Sequence, residues 1–378
     1  MSRRIRKSEV RKLNNYWNKK INSIEPYVAG EQPAEGVKVI KLNTNENPYP
    51  PSPECKKALE SYDLADLRLY PNTDAMSVKE AAAKAEGVAP ENVFVGNGSD
   101  EVLALVWQTY WEKEYDQDKA VLVPEISYSF YPVYSDFYSV RCRKIPLKDD
   151  FSVDWQDYAD VPNCGIAIAN PNAPTSKVMP LEDIEKILKA NPDSVVMIDE
   201  AYQAFAEDYV SAVSLIGKYK NLVVVKTMSK AYSLAGLRVG YAIADKDLIE
   251  GLIRARDSFN SYPVDRLAQL IASAALGDRE YYEETRAKII STRKRVAGEL
   301  KALGFTMPDS GANFLFAKPP LPLKAETLYK NLKAKGILVR YFNKPVIGDY
   351  LRITVGTDGE MDEFIARVRE EIDYVKNS

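Results

Sequence analysis

Six short apolar runs through the middle of the chain constrain the fold most. They are NVFVG (92–96), AVLVPE (120–125), GIAIAN (165–170), SVVMIDE (194–200), NLVVVK (221–226) and GYAIAD (240–245). Their apolar residues, many β-branched, sit at consecutive positions, so neither face suits water. Such strands belong inside a layered sheet covered on both sides. Helical patterns such as LEDIEKILKANP and SDEVLALVWQTYW separate them. Alternation of strand and helix predicts an α/β fold with a mostly parallel sheet.

After about residue 258 the texture changes. DREYYEETRAKIISTRKRVAGELKALG reads as one long amphipathic helix ending at Gly304. ANFLFAK, a helix AETLYKNLKAKG, the runs ILVRYF and YLRITVG, and a last helix EMDEFIARVREEIDYVKN follow. That order predicts a smaller α+β domain. The expected division is an N-terminal arm over 1–44, a large domain over 45–258 and a small domain over 259–378. NPYPPSPE (47–54) reads as a proline-rich surface crossing.

Composition narrows the function. A chain of 378 residues, 46% hydrophobic, can bury a large core. Its net charge of -3 gives no global basic field for nucleic acid. The basic N-terminal stretch MSRRIRKSEVRK reads as a solvated leader or helix, without the apolar core of a secretory signal. No apolar run is long enough to span a bilayer. Cys55, Cys142 and Cys164 are far apart and odd in number, which suits a reducing cytoplasm and shows no metal spacing. There is no histidine, so proton transfer falls to Lys, Tyr, Asp, Glu or Cys.

Ligands of open α/β sheets bind at the carboxyl ends of the strands, so the residues following each run matter most. NGSDE after the first run offers a glycine turn and a helix start, a main-chain cradle for phosphate at Ser99 and Asp100. Tyr128 follows the second run and could stack on a planar ring. Asn170 and Asn172 flank prolines after the third. Asp199 closes the fourth, where a buried carboxylate needs a cation or strong donor. Lys230 follows the fifth and could act as an amine nucleophile. Arg238 lies near the sixth and could fork onto a phosphate. A phosphate cradle, ring stacker, amide, buried acid, amine and arginine at one sheet edge are what pyridoxal 5'-phosphate requires.

From these residues the chain resembles the fold-type I pyridoxal-phosphate aminotransferases, and more narrowly the histidinol-phosphate aminotransferase family. PYVAGEQP (26–33), KLNTNENPYPPSP (41–53), GNGSDE (96–101), NPNAPTS (170–176), DEAY (199–202), SKAYSLAGLRVGY (229–241), GILVRYF (336–342) and YLRITVGT (350–357) carry the resemblance. It implies a large, mostly parallel seven-stranded sheet domain, a smaller α+β domain, and an arm packing on the small domain or a partner subunit.

It also implies roles. Lys230 would be the Schiff-base lysine and proton carrier, and Asp199 would pair with the pyridine nitrogen. Asn172 and Tyr202 would hold the phenolic oxygen, and Tyr128 would stack on the ring. Ser99, Asp100, Ser229 or Thr227, and Arg238 would hold the phosphate, with Tyr70 reaching it from the other subunit of a homodimer. Arg352 and Arg340 would grip substrate carboxylate or phosphate, and Tyr27 and Asn47 would line the substrate side. Ser176 stands where the family usually has glycine and is expected to cap a helix. The implied reaction is ping-pong transamination between L-histidinol phosphate and 2-oxoglutarate. An aromatic amino acid aminotransferase, a threonine-phosphate-type decarboxylase and a non-catalytic regulator are the competing expectations. A nicotinamide-dependent dehydrogenase is disfavoured, because no glycine fingerprint follows the first run.

Overall fold

The computed structural model describes residues 15–27, 30–33, 36–111 and 119–377. The basic stretch at 1–12 lies outside the described residues. Seven strands form the large sheet: β2 (Val93–Gly96), β3 (Val121–Pro124), β4 (Cys142–Ile145), β5 (Gly165–Ala169), β6 (Val196–Asp199), β7 (Leu222–Thr227) and β8 (Gly240–Ala244). Their spatial order is β2-β8-β7-β6-β5-β3-β4. β8 runs antiparallel to both neighbours, and the other pairings are parallel.

Consecutive burial follows from cover on both faces. In β6 and β7, Val196, Ile198, Leu222 and Val224 point into one apolar cluster. Met197, Val223 and Val225 point into another on the opposite face. The first cluster is closed by the helices Met76–Glu86, Leu181–Ala190 and Arg266–Gly277. The second is closed by Gly98–Tyr110, Phe130–Tyr138 and Lys246–Asp257. β4 was not expected as a strand. It is an edge strand, and its Arg143 and Lys144 are exposed.

A second sheet has the order β1-β10-β11-β9, with β1 Ile40–Leu42, β9 Phe314–Ala317, β10 Ile337–Tyr341 and β11 Leu351–Thr354. The helices Ala325–Ala334 and Asp358–Lys376 share its core, the latter started by a Thr357/Glu360 capping box. The helix Arg279–Ala302 runs as one rod and stops before Gly304, whose φ is +89°.

One expected boundary shifts. The helix Arg266–Gly277 sends Ala268, Ala272 and Ala275 into the large sheet's core, so that core continues past residue 258. Residues 40–42, at the end of the expected arm, pack on the small domain. They pair in parallel with β10, with Lys41 opposite Leu338, and Leu42 is buried in the small core.

Candidate active site

A cavity of 690 Å³ opens where the carboxyl ends of β3, β5, β6 and β7 face the small sheet. Asp199, the last residue of β6, forms part of its wall and is only 5% exposed. Its carboxylate accepts from Tyr131 Oη at 3.0 Å and from the Ala201 amide at 3.2 Å. No cation pairs with it among the described residues. Burial therefore pushes its pKa up to about 6, against the opposing effect of those two hydrogen bonds.

Lys230 leaves the turn after β7. That turn is pinned because the Met228 amide donates to Val239 and the Leu234 amide to Met228. The Lys230 amine enters the cavity and donates to the Thr44 carbonyl at 3.1 Å. Burial, reinforced by the Arg352 charge, brings its pKa down to about 8. Tyr202 stands 5.9 Å from this amine at its ring centroid and accepts at its hydroxyl from Asn45 Nδ2.

The helix Gly98–Tyr110 aims its first turn at the cavity floor. β8 passes very close: a Cβ on Gly240 would lie 2.4 Å from the Ser99 nitrogen. Gly98 has φ +77°, and a Cβ there would meet the Arg238 guanidinium at 2.6 Å. Ser99, Thr227, Ser229 and Arg238 all border this corner. Arg238 Nη2 donates to Asp100 Oδ2 at 2.8 Å, and Tyr128 Oη donates to Asp100 Oδ1 at 3.0 Å. Backbone N–H groups, hydroxyls and a guanidinium make an anion seat at a helix start.

The opposite wall comes from the small sheet. Arg340 and Arg352 are directly paired across β10 and β11. Arg352 Nη2 donates to the Asn43 carbonyl at 2.8 Å, while its buried Nε has no partner. Neither arginine has a carboxylate within 4.0 Å among the described residues. Tyr27 also borders the cavity and stacks on Phe130 at 4.1 Å.

Asn172, Asn47 and Tyr70 make contacts of their own, and one expectation, at Ser176, needs correction. Asn172 lies beside Ala173 and Pro174, which border the cavity. Its amide donates to Ile126 O and Thr175 Oγ1 and accepts from Ser127 Oγ, and Ile126 and Ser127 border the same cavity. Asn47 donates to the Lys230 and Ala231 carbonyls and holds the lysine's backbone. Tyr70 does not border its own chain's cavity; it is 78% exposed and stacked on Tyr262, and its expected role lies in the other subunit's site. Ser176 caps no helix. It sits buried at φ +64°, and the next helix begins at Leu181.

Thr44, Asn45 and Tyr131 were not singled out from sequence. The first two lie in the quoted KLNTNENPYPPSP motif, which was the available signal. Tyr131 carried none. A second cavity, of 530 Å³, shares Ala201 and Thr227 with the first, and its buried lysine is paired. Lys226 there pairs with Glu86 at 2.9 Å and Glu200 at 3.4 Å.

Comparison with known proteins agrees with this geometry. The family described as aminotransferase class I and II matches residues 37–368. A histidinol-phosphate aminotransferase of Clostridium acetobutylicum is 48% identical over 95% of this chain and 99% of that protein. One from Marinomonas sp. (strain MWYL1) is 50% identical over 94% and 99%. The crystal structure of histidinol-phosphate aminotransferase from Sinorhizobium meliloti in complex with pyridoxal-5'-phosphate superposes with a TM-score of 0.84 at 24% identity. That likeness covers 96% of this chain and 99% of that one. An anion seat at a helix start, an unpaired buried carboxylate and an amine with a lowered pKa thus stand in a chain that belongs to the class I and II aminotransferase family and, within it, to the histidinol-phosphate aminotransferases.

Proposed function

We propose that this enzyme transfers the amino group of L-histidinol phosphate to 2-oxoglutarate with pyridoxal 5'-phosphate as cofactor, as a cytoplasmic homodimer. The arginine pair carries this reading. Like charges directly opposite on neighbouring strands repel, and Arg340 and Arg352 have no carboxylate between them. An anionic substrate group relieves that repulsion. A phosphate monoester, near two negative charges at neutral pH, does so more fully than a carboxylate.

The residues also fit the cofactor. Asp199 is a buried acid lacking a cation, which a protonated ring nitrogen supplies. The Ser99–Asp100 helix start with Thr227, Ser229 and Arg238 suits its phosphate, and Tyr128 borders the same space. Pyridoxal 5'-phosphate supplies an aldehyde that takes up the amino group and a ring that withdraws electrons from the substrate's α-carbon.

The chain's own groups do the rest. Lys230 is the attachment point and, once its amine is free and neutral, carries the proton to and from the α-carbon. The Thr44 carbonyl holds that amine in place when it is unattached. Asp199 stays ionised beside a positive ring. Tyr202 offers its hydroxyl to the cofactor's phenolic oxygen, with Asn45 fixing its orientation. The exposure of Leu64, Leu67, Tyr70, Phe259 and Tyr262 supports a second subunit, whose site Tyr70 would reach.

The test supplies histidinol phosphate with 2-oxoglutarate and measures glutamate, with phenylalanine and threonine phosphate as rival substrates. A preference for either rival overturns the substrate reading. Borohydride reduction of the loaded enzyme followed by peptide mapping should label Lys230, and Lys230→Ala should lose both label and turnover. A label elsewhere refutes the lysine's role.

A further inference from the structure

Two lysines border the mouth of the cavity from opposite walls. Lys144 comes from the edge strand β4 of the large sheet, and Lys344 from the loop joining β10 to β11 in the small one. Both are exposed, and neither has a carboxylate within 4.0 Å among the described residues. Glu125 borders the same cavity and is exposed. The cavity's other surface carboxylates are engaged: Glu46 by Lys41, and Asp100 by Arg238.

The loop that carries Lys344 is folded tightly. The Lys344 amide donates to Phe342 O at 2.8 Å and the Ile347 amide to Pro345 O at 2.8 Å. A Cβ on Gly348 would come 2.9 Å from the Lys344 carbonyl. Val346 has φ +67°, a conformation that β-branched residues rarely adopt. Ile347 anchors the loop by inserting beside Phe151 and Phe316. Phe151 belongs to the large unit's chain segment and Phe316 to β9, so the anchor bridges the two walls. Backbone strain held by such an anchor points to a positional requirement. Phe342, Lys344, Pro345 and Val346 all face the cavity.

We infer that Lys144 and Lys344 form a cationic rim that takes up the phosphate monoester of the substrate and so favours phosphorylated amines over carboxylate-bearing ones. This rests on the substrate reading above. The arginines fork onto two oxygens at fixed angles, whereas each lysine is a compact point charge on a flexible stem. A phosphate presents a third oxygen and a second charge to the rim. A carboxylate bound by the arginines has neither. Being exposed, the lysines should act in a strongly salt-dependent way, through capture of substrate.

The experiment uses the holoenzyme of Lys144→Met, Lys344→Met and their double variant. Each half-reaction is followed separately, with histidinol phosphate and with glutamate, at low and physiological ionic strength. Each substitution should lower kcat/KM for histidinol phosphate by about tenfold at low salt. The loss should lie in KM, and glutamate should change less than about twofold. Lys344→Arg should restore most of the loss. Equal losses for both substrates would mean a structural role and overturn the proposal. An unchanged histidinol phosphate half-reaction would overturn it alone, leaving the substrate reading standing. If the unsubstituted enzyme fails on histidinol phosphate, the substrate reading falls and the rim falls with it.

Discussion

Gly240→Ala tests the link between a strand and the phosphate corner. The new Cβ would lie 2.4 Å from Ser99 N, 2.7 Å from Gly98 C and 2.8 Å from Ser99 Cα. All three atoms are backbone, so no rotamer change relieves the clash. Ordinary contact begins near 3.4 Å, so the first turn of the helix Gly98–Tyr110 must retreat by about 1 Å or β8 must bow. Such overpacking costs about 1–3 kcal/mol of stability. The retreat also moves the Ser99 and Asp100 amides and loosens Arg238, which packs on Gly98. A misplacement of that size weakens an aligned site by up to about a hundredfold. Urea unfolding of the cofactor-free protein gives the first quantity, and equilibrium dialysis of pyridoxal 5'-phosphate gives the second. Gly240→Ala should unfold at lower urea and bind cofactor at least about tenfold more weakly. Destabilisation with unchanged cofactor affinity would refute the placement of the phosphate at this corner. Unchanged stability would refute the close approach itself.

Two further outcomes follow from buried groups. Asp199 has a native pKa near 6, above its ordinary 3.8, so the folded protein binds more protons than the unfolded chain between those values. Cofactor-free stability should therefore fall as pH rises from 3.8 to 6, with the full penalty present above 6. Asp199→Asn should raise cofactor-free stability at pH 7 by on the order of 2 kcal/mol and do little near pH 3.5, while impairing transamination. A pH-independent effect in chemical unfolding would count against an unpaired carboxylate. Ser176→Gly should stabilise by about 0.5–1 kcal/mol, since relief of the left-handed backbone exceeds glycine's entropy cost in the unfolded chain. A loss of stability instead would show that the serine hydroxyl matters more than its backbone.

The large sheet was legible because its strands are buried on both faces and announce themselves as continuous apolar runs. β4 was not, since CRKI carries two exposed cations on a sheet edge. Asp199, Lys230 and Arg238 could be located because each lies beside a strand end, where position alone directs a side chain to the cavity. The partners of Asn172, Ile126 and Ser127 on the cavity wall, lie over forty residues away along the chain and could not be read from the NPNAPTS turn. The Asn47 amide serves backbone carbonyls that leave no mark in sequence. The lowered pKa of Lys230 depends on burial and on Arg352, far away along the chain, so no local pattern encodes it.

The pairing of Ile40–Leu42 with Ile337–Tyr341 bears on how the protein is made. A ribosome releases the first strand long before its partner exists, and contacts of such sequence separation form late. Thr44 and Asn45, which touch Lys230 and Tyr202, extend directly from that early strand. A nascent chain can therefore complete its large sheet while the catalytic chamber still lacks a wall. Vitamin capture and enzyme competence should arrive only when the last third of the polypeptide has emerged and called the first segment home.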